Sequence, residues 1–316
     1  MSTRYTQVSA SILDAVHDTP LLELEQGIFA KCEFLNPSGS IKARIASYII
    51  DRAESEGLLK PGDTIVEATS GNTGNAFAMV AAVKGYRMIV VMPEGLSSER
   101  VAISRAYGAE VLLCGSFHVN QALERARQLG SQPGFFFPGQ FESEWNVQEN
   151  REIFGPEILA QLPEGRVPDA FVHGVGTGGT LIGVGQAFRK ANPDVRLFAM
   201  EPSESRTLLC GEVDLHGIEG ISDGFVPGIF ARHRELVSDF LSVSSTDAVA
   251  QMRELARGRG LLCGPSSGAH LIAARRIRER FPEMNTVVTV LADKGEKYLN
   301  DFYMQHDGEP GSPPLH

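Results

Sequence analysis

The sequence predicts an α/β fold with two open, twisted sheets and a cleft between them. Strand-length apolar runs alternate with helix-length runs from residue 64 onward. The alternation comes in two blocks, one ending near residue 137 and one resuming near residue 147. The strand runs lack polar alternation, as expected when helices cover both faces of each sheet.

Residues 9–35 read as a short helix over Ser11–Val16, a turn at Asp18-Thr19-Pro20, and strands over Leu21–Leu24 and Ile28–Phe34. The turn Asn36-Pro37-Ser38-Gly39-Ser40 then delivers Lys42 to the start of an apolar helix. That helix runs to about Glu56, before Gly57, and Ile41, Ile45 and Tyr48/Ile49 share its buried face. Strands at Thr64–Ala68, Arg87–Met92, Glu110–Leu113 and Phe135–Phe137 alternate with helices at Asn72–Val83, Ser97–Tyr107 and Asn120–Leu129. The second block has a helix around Val147–Gln161, a strand Ala170–His173, a helix Thr180–Lys190 and a strand Arg196–Met200. Residues 201–227 are rich in glycine and turn residues and read as irregular. Helices Thr246–Gly258 and Gly268–Arg280 flank a short strand near Leu261-Leu262, and Thr286–Ala292 is the last strand. From His306 onward, Pro310, Pro313 and Pro314 mark a tail expected to be disordered.

A chain of 316 residues can bury the cores of two lobes. Hydrophobic content of 42% and charged content of 22% are ordinary for a globular protein. A net charge of −10 argues against nucleic acid or an anionic membrane as partner. No apolar run is long enough to span a bilayer, and residues 1–7 lack a secretory apolar core. Cys32, Cys114, Cys210 and Cys263 are scattered without metal spacing, so no metal is expected and each reads as a small buried hydrophobe in a reducing cytosol.

Three loops and one lysine carry chemistry. Lys42, on or beside a buried face, would lose hydration, drop in pKa and become an imine-forming amine. A lone lysine there would more often snorkel to solvent. The loops tip the balance. Glu67-Ala68-Thr69-Ser70-Gly71-Asn72-Thr73-Gly74 joins a strand to a helix and gathers hydroxyls, an amide and free backbone N–H groups, which suits a carboxylate. An N-cap alone would need fewer polar side chains. Gly174-Val175-Gly176-Thr177-Gly178-Gly179-Thr180 lets backbone approach a phosphate at a helix N-terminus. The same stretch fits Gly-x-Gly-x-x-Gly, with Glu201 where a ribose-binding acid would sit, so a nicotinamide dehydrogenase is a rival. Gly264-Pro265-Ser266-Ser267-Gly268 starts a helix, and a serine there either caps it or meets a ring nitrogen.

A reactive lysine, a carboxylate cradle, a phosphate cradle and a neutral hydroxyl are what pyridoxal 5′-phosphate (PLP) carrying an amino acid requires. In the order and spacing of these motifs, from Asp18-Thr19-Pro20-Leu21 to Asp293-Lys294-Gly295-Glu296-Lys297-Tyr298, the chain resembles the fold-type II PLP enzymes, particularly the cysteine synthase and cystathionine β-synthase family. The resemblance implies a tryptophan synthase β-like fold with PLP in the cleft between the domains. It implies a smaller mobile domain over 36–140, a larger domain over 10–35 and 141–303, and a tail over 304–316. It makes Lys42 the PLP lysine and the base that moves the Cα proton. Asn72 would meet the PLP 3′-oxygen, and Gly176, Thr177, Gly178, Gly179 and Thr180 would hold the phosphate. Ser266 would face the ring nitrogen. Thr69, Ser70, Gly71, Thr73 and Gln140 would bind the substrate carboxylate. A cytoplasmic homodimer acting on a small amino acid is expected.

The implied reaction is β-replacement on a serine- or cysteine-type amino acid, with sulfide or a thiol adding after the β-substituent leaves. An amine nucleophile giving a diaminopropionate-type product, release of hydrogen sulfide from cysteine, and a catalytically silent PLP-fold regulator are the alternatives. The chain departs from the family pattern in three places. Lys42-Ala43-Arg44 stands for Lys-Asp-Arg, and Gly220-Ile221-Ser222-Asp223-Gly224-Phe225 stands for Gly-Ile-Gly-Ala-Gly-Phe. The stretch Glu142-Ser143-Glu144-Trp145-Asn146-Val147-Gln148-Glu149-Asn150 lacks the usual Asn-Pro-Ala-Asn-Pro. Asp223 thereby becomes a candidate at the mouth of the site, to orient a cationic substrate group or to act as general base on the incoming nucleophile.

Overall fold

Parallel strands need crossover connections, and here helices supply them and cover both sheet faces. The computed structural model describes residues 8–95, 98–116 and 119–304. In chain order the elements are β1 (Leu21–Glu25), β2 (Ile28–Cys32), α1 (Lys42–Ser55), β3 (Thr64–Ala68), α2 (Asn72–Lys84), β4 (Arg87–Glu94), α3 (Ser98–Ala106), β5 (Glu110–Ser116), α4 (Asn120–Gly130) and β6 (Phe135–Phe136). They continue with α5 (Glu144–Glu149), α6 (Gly155–Gln161), β7 (Ala170–Gly174), α7 (Gly179–Ala191), β8 (Arg196–Pro202), α8 (Thr207–Cys210), α9 (Gly228–Arg232), β9 (Asp239–Val243), α10 (Ser245–Arg259), α11 (Pro265–Arg280) and β10 (Val287–Leu291). One sheet has six strands in the order β1-β2-β10-β7-β8-β9, the other four in the order β5-β4-β3-β6. Pairing is parallel throughout except between β1 and β2. The early strand β2 lies beside the last strand β10, with Ile28 opposite Val287.

Neighbouring strand residues face different helix layers, which explains the unbroken apolar runs. Ile65 packs with Ile45, Ile49, Ile50 and Phe77 of α1 and α2, while Val66 packs with Ala122, Leu123 and Ala126 of α4. In the larger sheet Val172 and Met200 face α10 and α11, and Phe171 and Ala199 face α7. Full burial of each large aliphatic side chain stabilises by about 1.5–3 kcal/mol.

Several expectations need correction. The strand expected over Ile28–Phe34 ends at Cys32, and Glu33–Leu35 form a 3-10 turn because the Glu33 side chain is drawn inward to Arg44. Leu261-Leu262 form no strand. Gly260 ends α10 in a left-handed conformation, and Cys263 makes only an isolated bridge to Lys294 before α11 begins. The edge strand β9, half-buried for most of its length, was not read from the sequence, nor was the short helix α8 in the region taken as irregular. The helix expected around Val147–Gln161 starts earlier, at Glu144, and carries a π-helical turn over Asn150–Phe154. The four cysteines are free, and Cys32 and Cys263 are buried, but Cys114 is half-buried and Cys210 exposed. The tail from His306 lies outside the described residues.

Candidate active site

Three loops leave the carboxyl ends of parallel strands: residues 69–71 after β3, 175–178 after β7 and 292–293 after β10. Ligands of open α/β sheets bind outside those ends. Lys42, Thr69, Ser70, Asn72, Thr73, Gln140, Gly176, Thr177, Asp223 and Ser266 line one cleft of about 580 Å³, counted with the space at its mouth. Gly71, Gly178, Gly179 and Thr180 belong to the same loops but do not line it.

Lys42 opens α1, and Arg44 in the same first turn anchors that helix. Arg44 is fully buried. Its guanidinium donates to Glu33 at 2.6 and 2.9 Å and to Glu157 at 2.8 and 2.9 Å. These bonds tie α1 to the chain after β2 and to α6. Ala43, where the family has an acid, is buried in the core of the smaller sheet. Burial lowers the Lys42 pKa, while the Asp293 and Asp223 carboxylates pull it up. A buried amine between two acids can hold or release a proton at modest cost.

The carboxylate loop is preorganised. Gly71 N donates to Thr69 Oγ1 at 2.9 Å, which leaves the Thr69 hydroxyl hydrogen to donate elsewhere. Thr73 Oγ1 donates to Gln140 Oε1 at 2.7 Å, and Gln140 Nε2 donates to Ala68 O at 2.8 Å. Glu67 is buried beneath the loop and accepts from Ala68 N at 2.9 Å and Gln140 N at 3.1 Å. Burial pushes its pKa up to about 8, against the pull of those N–H groups.

At α7, Gly178 is the N-cap with φ +89°. A residue with a Cβ would pay about 1–2 kcal/mol there and would crowd the Phe230 backbone. A Cβ on Gly179 would overlap Asn146 Oδ1. This close packing lets Asn146 Nδ2 donate to Thr177 Oγ1 at 3.0 Å and to Gln140 O at 2.9 Å, joining the phosphate-type loop to the carboxylate loop. Glu201 accepts from Leu208 N at 2.9 Å and Leu209 N at 3.2 Å. It caps α8, so the acid that a dinucleotide reading requires is already engaged and buried.

Asp223 reaches the cleft because Ser222 turns the chain with φ +52°. Serine tolerates that conformation less well than glycine, and such strain concentrates at functional loops. Ser222 N bonds Val175 O at 3.0 Å, and its carbonyl meets His216 Nε2 at 3.1 Å. Phe225 packs edge-on against Phe141 at 5.0 Å. Arg100 of α3 pairs with Glu219 and donates to Ser70 O at 2.6 Å. The pair links the helix layer of one sheet to the mouth loop of the other.

Sequence reasoning missed His173, His270 and Glu219 on the cleft wall, and Glu67 and Asn146 behind it. His173 Nδ1 bonds its neighbour's carbonyl, Gly174 O, at 2.7 Å, while its Nε2 is buried without a partner. Burial, His270 and Lys42 push its pKa well down, so the ring is neutral and its Nε2 is an acceptor. Position beside the glycine loop was the available signal for His173. Its burial was not visible in the sequence.

A family model described as pyridoxal-phosphate dependent enzyme matches residues 12–293. The chain belongs to that family. It is 41% identical over 298 residues to a cysteine synthase of Staphylococcus aureus (strain N315), covering 92% of this chain and 95% of that protein. An O-ureido-L-serine synthase of Streptomyces lavendulae is 42% identical, covering 92% of this chain and 91% of that protein. A hydrogen sulfide-producing enzyme of Fusobacterium nucleatum superposes with a TM-score of 0.86 at 36% identity, covering 92% of this chain and all of that one (100%).

This member of the family is a PLP-dependent enzyme, and its residues fit the cofactor. The glycine loop and the N-terminus of the 13-residue α7 offer backbone N–H groups to a phosphate. The buried amine of Lys42 faces the same cleft, and the orphaned His173 Nε2 calls for a donor there. Among the described residues no cluster of three or more His, Cys, Asp or Glu is placed to hold a metal, and no helix is long and apolar enough to cross a membrane.

Proposed function

We propose that the chain catalyses β-replacement on a serine- or cysteine-type amino acid, with sulfide or a thiol as nucleophile, as cysteine synthases do. The carrying observation is one cleft that holds the Lys42 amine, the Thr69–Thr73 loop and the α7 glycine loop together. The identity to cysteine synthases over most of the chain supports the reading. We further propose a cytoplasmic homodimer that binds neither nucleic acid nor membrane, in which the smaller domain, 36–140, moves against the larger.

PLP, when bound, supplies the electron sink for a Cα carbanion. The chain does the rest. Gly176, Thr177 and the backbone of 178–180 hold the phosphate. Thr69, Ser70 and the first-turn N–H groups of α2 hold the substrate carboxylate, with Gln140 and Thr73 bracing one another behind them. Lys42, its uncharged form favoured by burial, takes the Cα proton. Ser266 offers the ring nitrogen a hydroxyl without a countercharge, which weakens the sink and favours loss of the β-substituent over transamination.

A second reading is favoured by Asp223. A carboxylate at the mouth can take a proton from an amine nucleophile or from water, giving a diaminopropionate-type product or hydrogen sulfide release from cysteine. The test incubates purified holoenzyme with an O-acylserine or cysteine and with sulfide, a thiol, an amine or no added nucleophile, and reads products by mass spectrometry. Fastest turnover with sulfide or thiol supports the first reading. Preference for an amine or water replaces it with the second. A yellow protein that turns over none of them is a silent regulator.

A further inference from the structure

The segment Asp293–Tyr298 ends the run of family-like motifs but takes no direct part in the reaction. It lies where several site residues are anchored. Asp293 follows β10 and bridges Ser40, two residues before Lys42. Its carbonyl accepts from Gly264 N at 3.0 Å, two residues before Ser266. Its side chain and that of Lys297 converge on Asn72, which starts α2 on the other sheet. Lys297 Nζ donates to Asn72 Oδ1 at 2.6 Å. Asn72 Nδ2 donates to Asp293 Oδ2 at 2.7 Å, and Tyr298 OH donates to the same oxygen at 2.6 Å.

These partners fix which way the carboxamide faces. A carboxylate only accepts and an ammonium only donates. The flipped amide would set its carbonyl against Asp293 and its NH₂ against Lys297. Oδ1 therefore belongs to Lys297 and one N–H to Asp293. Asp293 and Lys297 are 1% and 6% exposed, so water does not substitute for either. Burial pushes Lys297 down to about 8 while Asp293 pulls it up. Even uncharged, the Lys297 amine keeps N–H donors for Asn72 Oδ1, so the bond to it outlasts the proton. The second hydrogen on Nδ2 is left for an occupant of the cleft that Asn72 lines.

We propose that Asp293 and Lys297 are positioning residues that lock Asn72 so that it presents an N–H donor, never its carbonyl, to the anionic ring oxygen of PLP. This rests on PLP occupying the cleft. An amide N–H holds a phenolate-type oxygen in its ionised form, whereas an amide carbonyl in its place would repel it. The lock spans the two sheets, so the donor is set only when the lobes sit as they do here.

The test is a double-mutant cycle on holoenzyme, read by the pH titration of the visible PLP band and by PLP retention on dialysis. The variants are Lys297→Met, Lys297→Arg, Asn72→Ala and Asn72→Ala with Lys297→Met. Lys297→Met should move the titration midpoint by about one pH unit or speed PLP loss roughly tenfold, the lower range for one charge-assisted hydrogen bond. Lys297→Arg, which keeps a cationic donor, should restore most of the effect. In the Asn72→Ala background Lys297→Met should change the readout by less than about twofold. An equal effect in both backgrounds overturns the proposal, because Lys297 would then act by charge alone. An unchanged spectrum and retention in Lys297→Met also overturns it. Should that variant fail to fold, Lys297→Leu, which also lacks a donor, takes its place in the cycle. A wild-type protein with no visible band would instead overturn PLP occupancy, a separate failure.

Discussion

The Thr73 hydroxyl donates to Gln140 Oε1 at 2.7 Å, joining the first turn of α2 to the loop after β6. Gln140 is 2% exposed and its Nε2 already serves Ala68 O, so one side chain braces two parts of the carboxylate loop. Gln140→Ala should weaken substrate binding roughly tenfold, since it removes two buried neutral hydrogen bonds, each worth about 0.5–1.5 kcal/mol, that hold the Thr73 hydroxyl and the loop in place. Spectral titration of the holoenzyme with amino-acid substrate measures it. Unchanged affinity would place Gln140 outside the clamp.

Lys42→Ala should remove the borohydride-reducible bond between protein and cofactor and cut turnover roughly a thousandfold, within the range of a lost general base. The fold should persist, because Arg44 and the isoleucines rather than Lys42 hold α1. Peptide mapping after borohydride reduction of the wild type locates the pyridoxyl group. Its appearance on another lysine would remove Lys42 from its role.

Asp223→Ala should leave loss of the β-substituent intact, since Lys42 takes the Cα proton. Addition of the nucleophile should slow on the order of 100-fold where the nucleophile must be deprotonated. Water, amines and thiols should therefore suffer more than sulfide already ionised. Stopped-flow spectra resolve the two halves of the cycle. Wild-type rates in both halves with every nucleophile would leave Asp223 a loop residue.

Glu67 gives a pH dependence of stability with a definite sign. Its folded pKa is raised by burial from 4.5 to about 8. A raised folded pKa means the contribution is fully present below about 4.5 and is lost as pH rises through about 8. Glu67→Gln cannot ionise, so its urea midpoint should gain on the wild type between pH 5 and 8. Parallel midpoint curves would show that Glu67 is not the titrating group. In the same variant an amide NH₂ replaces one of the two oxygens that accept from Ala68 N and Gln140 N, so substrate affinity should fall with it.

The sequence by itself determined the alternation of strand and helix, the placement of Lys42 at a helix start, and the loops at residues 69–74 and 174–180. These are local properties. Apolar period, turn residues and glycine runs act over a few neighbours, and parallel sheets then put such loops at one edge. Tertiary structure alone decided what meets across distance. That β2 pairs with β10 follows from sheet order, which no local pattern encodes. Glu33 looked like strand and became a turn because Arg44 needed a buried carboxylate. Glu201 looked like a ribose acid until α8 claimed it. His173 and Glu67 read as ordinary strand residues, and only burial made one a bare acceptor and the other a raised acid. Asn72 drew attention for its loop, but its orientation is set by Asp293 and Lys297, more than two hundred residues away in the chain. The physical reason is common to all of these. Desolvation and hydrogen-bond partnering depend on what the fold brings within 3 Å or so, and sequence spacing does not report that.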